Sequence, residues 1–169
     1  MNHQELEKRL SDWNNREALF DDLKKIGDSI IPEVIEIASK SSDEWVKKVA
    51  VQSMSNFKTD QSIKFLTSYF GGEVGADTTL TKYAVWGIIE SIGEPAIPSI
   101  IDLFKSPDKY ARANAIMAFC CILRNSKTNK YKMNEVKVLE NDDVEMVRKA
   151  VGYALNEPTA FYTSPYFVY

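Results

Sequence analysis

Apolar residues recur along this chain at spacings of three and four, with polar or small residues between them. That is the period of helices that bury one face. Leu6, Leu10 and Trp13, then Leu19, Phe20, Leu23 and Ile26, predict two short helices over Gln4–Asp12 and Arg16–Ile26. A first clear pair follows over Ile30–Lys40 and Asp43–Phe57. Asp60 reads as the cap of the next helix, Gln61–Phe70, whose Ile63, Phe65, Leu66, Tyr69 and Phe70 face inward. Residues 77–92 predict a second helix, and residues 94–123 hold the sharpest pair. Tyr131–Glu140 and Asp142–Glu157 make the last one, which Pro158 ends.

The stretch Ile92–Leu123 shows the unit in full. Gly93 closes the preceding helix, because glycine tolerates the left-handed conformation that a helix C-terminus often needs. Pro95 is harmless in a first turn, where the N–H groups have no intrahelical partner. Pro98 either bends this helix or marks its true start. Ile97, Ile100, Ile101 and Phe104 lie on one face. Ser106-Pro107-Asp108 is a turn with a cap candidate, and Ala111, Ala115, Ala118, Phe119 and Ile122 line the next helix. Its small alanines let another helix approach closely. Neither helix can hide its apolar face alone, so the unit implies neighbours.

Copies of it exist. Ile26-Gly27-Asp28-x-x-Ile31-Pro32-x-x-Ile35 matches Ile92-Gly93-Glu94-x-x-Ile97-Pro98-x-x-Ile101 at an offset of 66 positions. That is two periods of about 33, within the range of helical-pair repeats. With one residue deleted, Asp43-x-Trp45-x-Lys47-x-x-Ala50 falls on Asp108-x-Tyr110-x-Arg112-x-x-Ala115. Residues 142–155 and 82–89 carry further copies of the second helix.

These residues resemble the HEAT-like repeat, in particular the short bacterial kind with Ile-Gly and Ala-Ile-Pro in its first helix and Asp-x-x-Val-Arg-x-x-Ala in its second. The resemblance covers about residues 26–156 and is close only at 92–123. Lys47 and Lys82 replace the usual arginine, and Thr79-Leu80-Thr81 replaces the acidic turn. The family implies an all-α fold, a right-handed α-solenoid of about four helix pairs, with a concave face built from the second helices. On that reading residues 1–26 are an N-terminal cap, 27–157 the repeats and 158–169 an aromatic tail. The family implies no single activity.

Length and composition fit one ordinary globular domain: 169 residues, 44% hydrophobic and 27% charged. A net charge of −3 argues against a general polyanion binder. Neither a secretory h-region nor a membrane-length apolar run is present. The two cysteines, Cys120 and Cys121, are adjacent on an apolar helix and read as packed thiols, which points to a reducing, cytoplasmic setting.

Candidate chemistry is sparse. His3 is the one histidine and stands at a terminus, so no Ser-His or Cys-His relay and no metal-ligand set is expected. Gly71-Gly72-Glu73-Val74-Gly75 follows no strand and precedes no Gly-Lys-Ser/Thr, so it reads as a loop rather than a phosphate cradle. Nothing calls for a cofactor or a catalytic residue. Arg112 and Arg148 are expected to pair with an acid of the same or an adjacent repeat.

A surface remains. Helical spacing nominates Lys48, Gln52, Tyr83, Trp86, Glu90, Met117, Lys149 and Tyr153 for a concave strip, with Trp86 and Met117 equally able to be core residues. Phe161, Tyr162, Tyr166, Phe167 and Tyr169 crowd the tail, which either seals the last repeat or, through Tyr162 and Tyr166, joins the binding surface. Glu73, Asp77, Glu90, Glu94 and Asp102 face only Lys82 within residues 71–104, whereas Arg124, Lys127, Lys130, Lys132 and Lys137 face only Glu135 further on. The expected function is therefore non-catalytic protein binding, with an immunity-type protein that covers a basic toxin or nuclease as the specific form. The alternatives are a DNA-binding or alkylation-repair-like HEAT protein, and an assembly or maturation subunit of a larger complex.

Overall fold

A computed structural model of the chain describes residues 1–71, 78–126 and 131–156, the side chains of Trp13, Thr78 and Thr79 excepted. Every regular element among the described residues is helical. Helix α1 (His3–Leu10) is capped by Asn2, whose side chain accepts the Glu5 N–H at 2.9 Å. Helix α2 (Arg16–Ile26) ends at Gly27, whose φ of 78° lies in the left-handed region that suits glycine. A 3₁₀ turn over Asp28–Ile30 leads into α3 (Ile31–Lys40), and Asp43 then caps α4 (Glu44–Met54) by accepting the Trp45 N–H at 2.8 Å.

At α5 (Asp60–Thr67) the cap is not Asp60 but the residue before it. Thr59 Oγ1 accepts the Ser62 N–H while Ser62 Oγ accepts the Thr59 N–H, both at 3.2 Å, a reciprocal box that leaves Asp60 as the first helical residue. A 3₁₀ turn over Ser68–Phe70 follows. Helix α6 (Thr78–Trp86) runs into a π-helical segment, Gly87–Ile92, that ends where the Gly93 N–H donates to the Ile88 carbonyl five residues back at 2.8 Å. Past a 3₁₀ turn at Glu94–Ala96 comes α7 (Ile97–Leu103). Pro98 thus marks the true start of that helix rather than bending it. Asp108 caps α8 (Lys109–Asn125), accepting the N–H groups of Tyr110 at 2.7 Å and Ala111 at 3.3 Å. The helix predicted over residues 131–140 is instead a 3₁₀ segment, Met133–Leu139, ahead of α9 (Glu145–Asn156).

Packing follows chain order in two rows. Helix α3 lies against α4 and α7 against α8 as hairpins. In one row α3 meets α5 and α5 meets α7; in the other α4 meets α6, α6 meets α8 and α8 meets α9. Helix α1 rests on α2 and α4, with Leu6 and Leu10 fully buried. Ile26, expected in the apolar face of α2, is instead exposed at its end.

Helix α8 departs most from the one-faced pattern. Every residue from Ala111 through Ile122 is buried, so the helix is walled by α7, α9, the 68–70 turn and the π-helical segment. Phe119 meets Phe104 edge-to-face at 5.7 Å. Asn114, a buried polar residue, donates its amide to the Phe70 carbonyl at 2.8 Å, which a buried amide needs. Cys120 and Cys121 are buried thiols, not joined in a disulfide, and burial pushes the Cys120 thiol up to about 12.

Arg112 joins α8 to the last pair. Its guanidinium donates to the Ser106 and Pro107 carbonyls at 2.8 and 3.3 Å and to Asp142 and Asp143 at 2.8 and 3.2 Å. Nε lies 2.7 Å from the second Asp142 oxygen, off the line of its N–H, so this contact is coulombic. Arg112 and Asp142 are both nearly enclosed, whereas Asp143 stands in water. Arg112 therefore pairs with acids ahead of the following helix, as its position predicts. Arg148 instead donates to the Asp142 backbone carbonyl, at 2.5 Å. Burial alone would raise the Asp142 carboxyl, but the Arg112 hydrogen bond, the Val144 N–H and the guanidinium charge outweigh it and hold it below the ordinary value.

Three outcomes are expected. Arg112→Ala should lower unfolding stability by about 3 kcal/mol in urea titrations, because it strands a largely enclosed carboxylate. A depressed carboxyl contributes fully above its unfolded value, near pH 4, and its contribution fades as pH falls through the lower folded value. Wild type and Asp142→Asn should accordingly differ near neutrality and converge in acid. Ellman's reagent should label no thiol in the native protein near pH 8 and both in denaturant, since the thiolate is the reactive form.

Candidate functional site

The second-row helices carry most of the nominated side chains. Lys48 and Gln52 lie one turn apart on α4, both half-buried, and the Gln52 side-chain oxygen is enclosed without a hydrogen-bond partner among the described residues. Tyr83 and Trp86 lie one turn apart on α6 and are likewise half-buried, while Glu90 projects into solvent from the π-helical segment. Because α4 and α6 pack side by side, these five residues occupy neighbouring helices. Gly87 sets how closely. A Cβ there would come within 2.8 Å of the Ser55 Cβ, so only a glycine lets this segment seat against the end of α4.

Met117 belongs elsewhere. It is 7% exposed, inside the core, because α8 is covered on every side and presents no open face along its middle. The nominated strip is interrupted there. Lys149 and Tyr153 form a second patch on α9, beyond α8 in the row. Lys149 pairs with Glu145 at 2.7 Å, and its hydrogen bond holds the Glu145 carboxyl below the ordinary value. Tyr162 and Tyr166 lie outside the described residues.

The charge blocks are partly engaged internally. Glu94 is half-buried and accepts from the Ser126 hydroxyl, tying the end of α8 to the turn before α7, whereas Glu90 and Asp102 face solvent. Arg124 reaches the Ala154 carbonyl at 3.5 Å, while Lys132 and Lys137 are exposed. Glu73, Asp77, Lys127, Lys130 and Gly72–Gly75 lie outside the described residues.

Another grouping comes from tertiary structure alone. The His3 Nδ1 contacts the Glu33 carboxylate, and Glu36 stands one turn further along α3. Donor atoms of all three lie within 4.8 Å of one another. Glu36 also pairs with Lys40 at 2.7 Å, and the hydrogen bond from Lys40 keeps its carboxyl below the ordinary value. Sequence reasoning does not assemble this trio, because His3 and Glu33 are thirty positions apart. The local signal was the spacing of three between the two glutamates.

Comparison with protein-family models and with curated proteins finds no match to this chain. No helix among the described residues is long and apolar enough to cross a membrane.

Gly87→Val should lower stability by about 2 kcal/mol through overpacking against Ser55. Glu90→Lys, three positions on but in solvent, should change it by less than about 0.5 kcal/mol. Thermal or urea melts of the two variants side by side check both.

Proposed function

We propose that this chain is a non-catalytic binding protein, an α-solenoid of about four HEAT-like helix pairs with an N-terminal cap, which holds another protein on its second helices. Its specific role in this reading is that of an immunity-type protein, covering a basic toxin or nuclease domain. The observation that carries the reading is the neighbouring pair α4 and α6. It sets the partly buried Tyr83 and Trp86 of α6, with the outward Glu90 of the π-helical segment that continues it, beside the partly buried Lys48 and Gln52 of α4. Such aromatics are enriched in the cores of protein interfaces, where a rigid amphipathic ring fills a pocket at little entropic loss. An acid at the rim favours a basic partner and speeds encounter with it. Packing in chain order supports a linear array, in which each pair leans only on its neighbours.

The reading expects a basic toxin domain to be encoded beside this chain's own gene, and that domain would be the direct test partner; absence of such a gene counts against the reading. The expected result is a stoichiometric complex that silences the toxin and associates more slowly as salt is raised. Trp86→Ala and Glu90→Lys should each weaken it by about tenfold or more, with the melting temperature of Glu90→Lys unchanged. If Trp86→Ala loses stability along with binding, Trp86 is a core residue and Glu90→Lys alone carries the surface. Absence of any complex, salt-sensitive binding of DNA instead, or turnover of a substrate by the purified chain would overturn the reading.

A further inference from the structure

We propose that His3, Glu33 and Glu36 form a binding site for a divalent transition-metal ion, Zn²⁺ the best suited, which fastens α1 to α3. The site stands on convergence between elements. His3 opens α1, while Glu33 and Glu36 lie three positions apart, on one side of α3. His3 is held in place. Asn2 caps its helix, and Leu6, one turn on, is fully buried.

The donor set selects the ion. One imidazole nitrogen with two carboxylates suits zinc and its first-row neighbours, whereas calcium and magnesium take oxygen alone. Donors around one tetrahedral zinc stand about 3.4 Å apart, from bonds of about 2.0–2.2 Å. The three here already lie within 4.8 Å, so side-chain rotation closes the remaining gap without moving a helix. His3 and Glu33 are partly exposed, which leaves an entry path and room for water to complete the coordination. Lys40 competes for Glu36, but its ammonium is largely in solvent, and an exposed pair of this kind is weak beside a chelate. The ion would replace the direct His3–Glu33 contact and add a link from Glu36 to α1.

The test is calorimetric titration of the full chain, free of any histidine tag, with ZnCl₂ in a buffer that does not coordinate metal. Co²⁺ absorption serves as the probe of geometry. One equivalent should bind, giving a tetrahedral Co²⁺ spectrum, and the melting temperature should rise with Zn²⁺ concentration, as ligand linkage requires. His3→Ala, Glu33→Gln and Glu36→Gln should each weaken binding by about tenfold or more while melting like wild type without metal. No binding by wild type would overturn the proposal. So would binding that survives either glutamine variant, because the ion would then be held by His3 and other groups.

Discussion

A helix that is apolar all the way round can exist in water only if the rest of the chain builds walls for it. Helix α8 imposes that demand. Its buried run from Ala111 to Ile122 needs α7 on one side, α9 on another, and the 68–70 turn and π-helical segment to finish the enclosure. Alanines make such crowding feasible by letting backbones approach, while Phe119 fills what they leave open. The two polar side chains drawn inside are both matched, Asn114 to the Phe70 carbonyl and Arg112 to the Ser106 carbonyl and Asp142, since an unmatched polar group would offset much of the burial. Other helices of the chain bury one stripe each and keep an outer face; α8 keeps none.

That difference shapes the surface. The outer faces of α4 and α6 stay partly open, so a lysine, a glutamine and two large aromatics sit at the water boundary there. At α8 the same row is closed, and the nominated methionine lies in the interior. The described side chains nominated for the strip therefore fall at two separate stretches rather than along a continuous ribbon.

Much of the architecture was legible because it rests on local rules. Apolar period, the cap candidate at Asp108 and the glycine at 93 each announced an element in its own few residues, and the repeat match placed Asp43 and Gly27 at the same positions. What escaped was decided elsewhere. The Thr59 cap depends on Ser62 reaching back, a reciprocal bond that reading Asp60 as the cap overlooked. The π-helical segment reads in sequence as plain helix, because Ile88, Ile89 and Ile92 fit either winding. The closure of α8 had a signal in the unbroken apolar run through Cys120 and Cys121, yet helical spacing alone could not say which flank would be covered. The trio around His3 left no contiguous pattern, since folding alone brings α1 to α3.

The joint at Arg112 bears on how the last described helix parts from those before it. A guanidinium rooted in the most enclosed helix grips the loop that leads into α9. Helix α9 and its loop therefore cannot part from α8 without stranding an enclosed carboxylate, which raises the energy of opening at that joint.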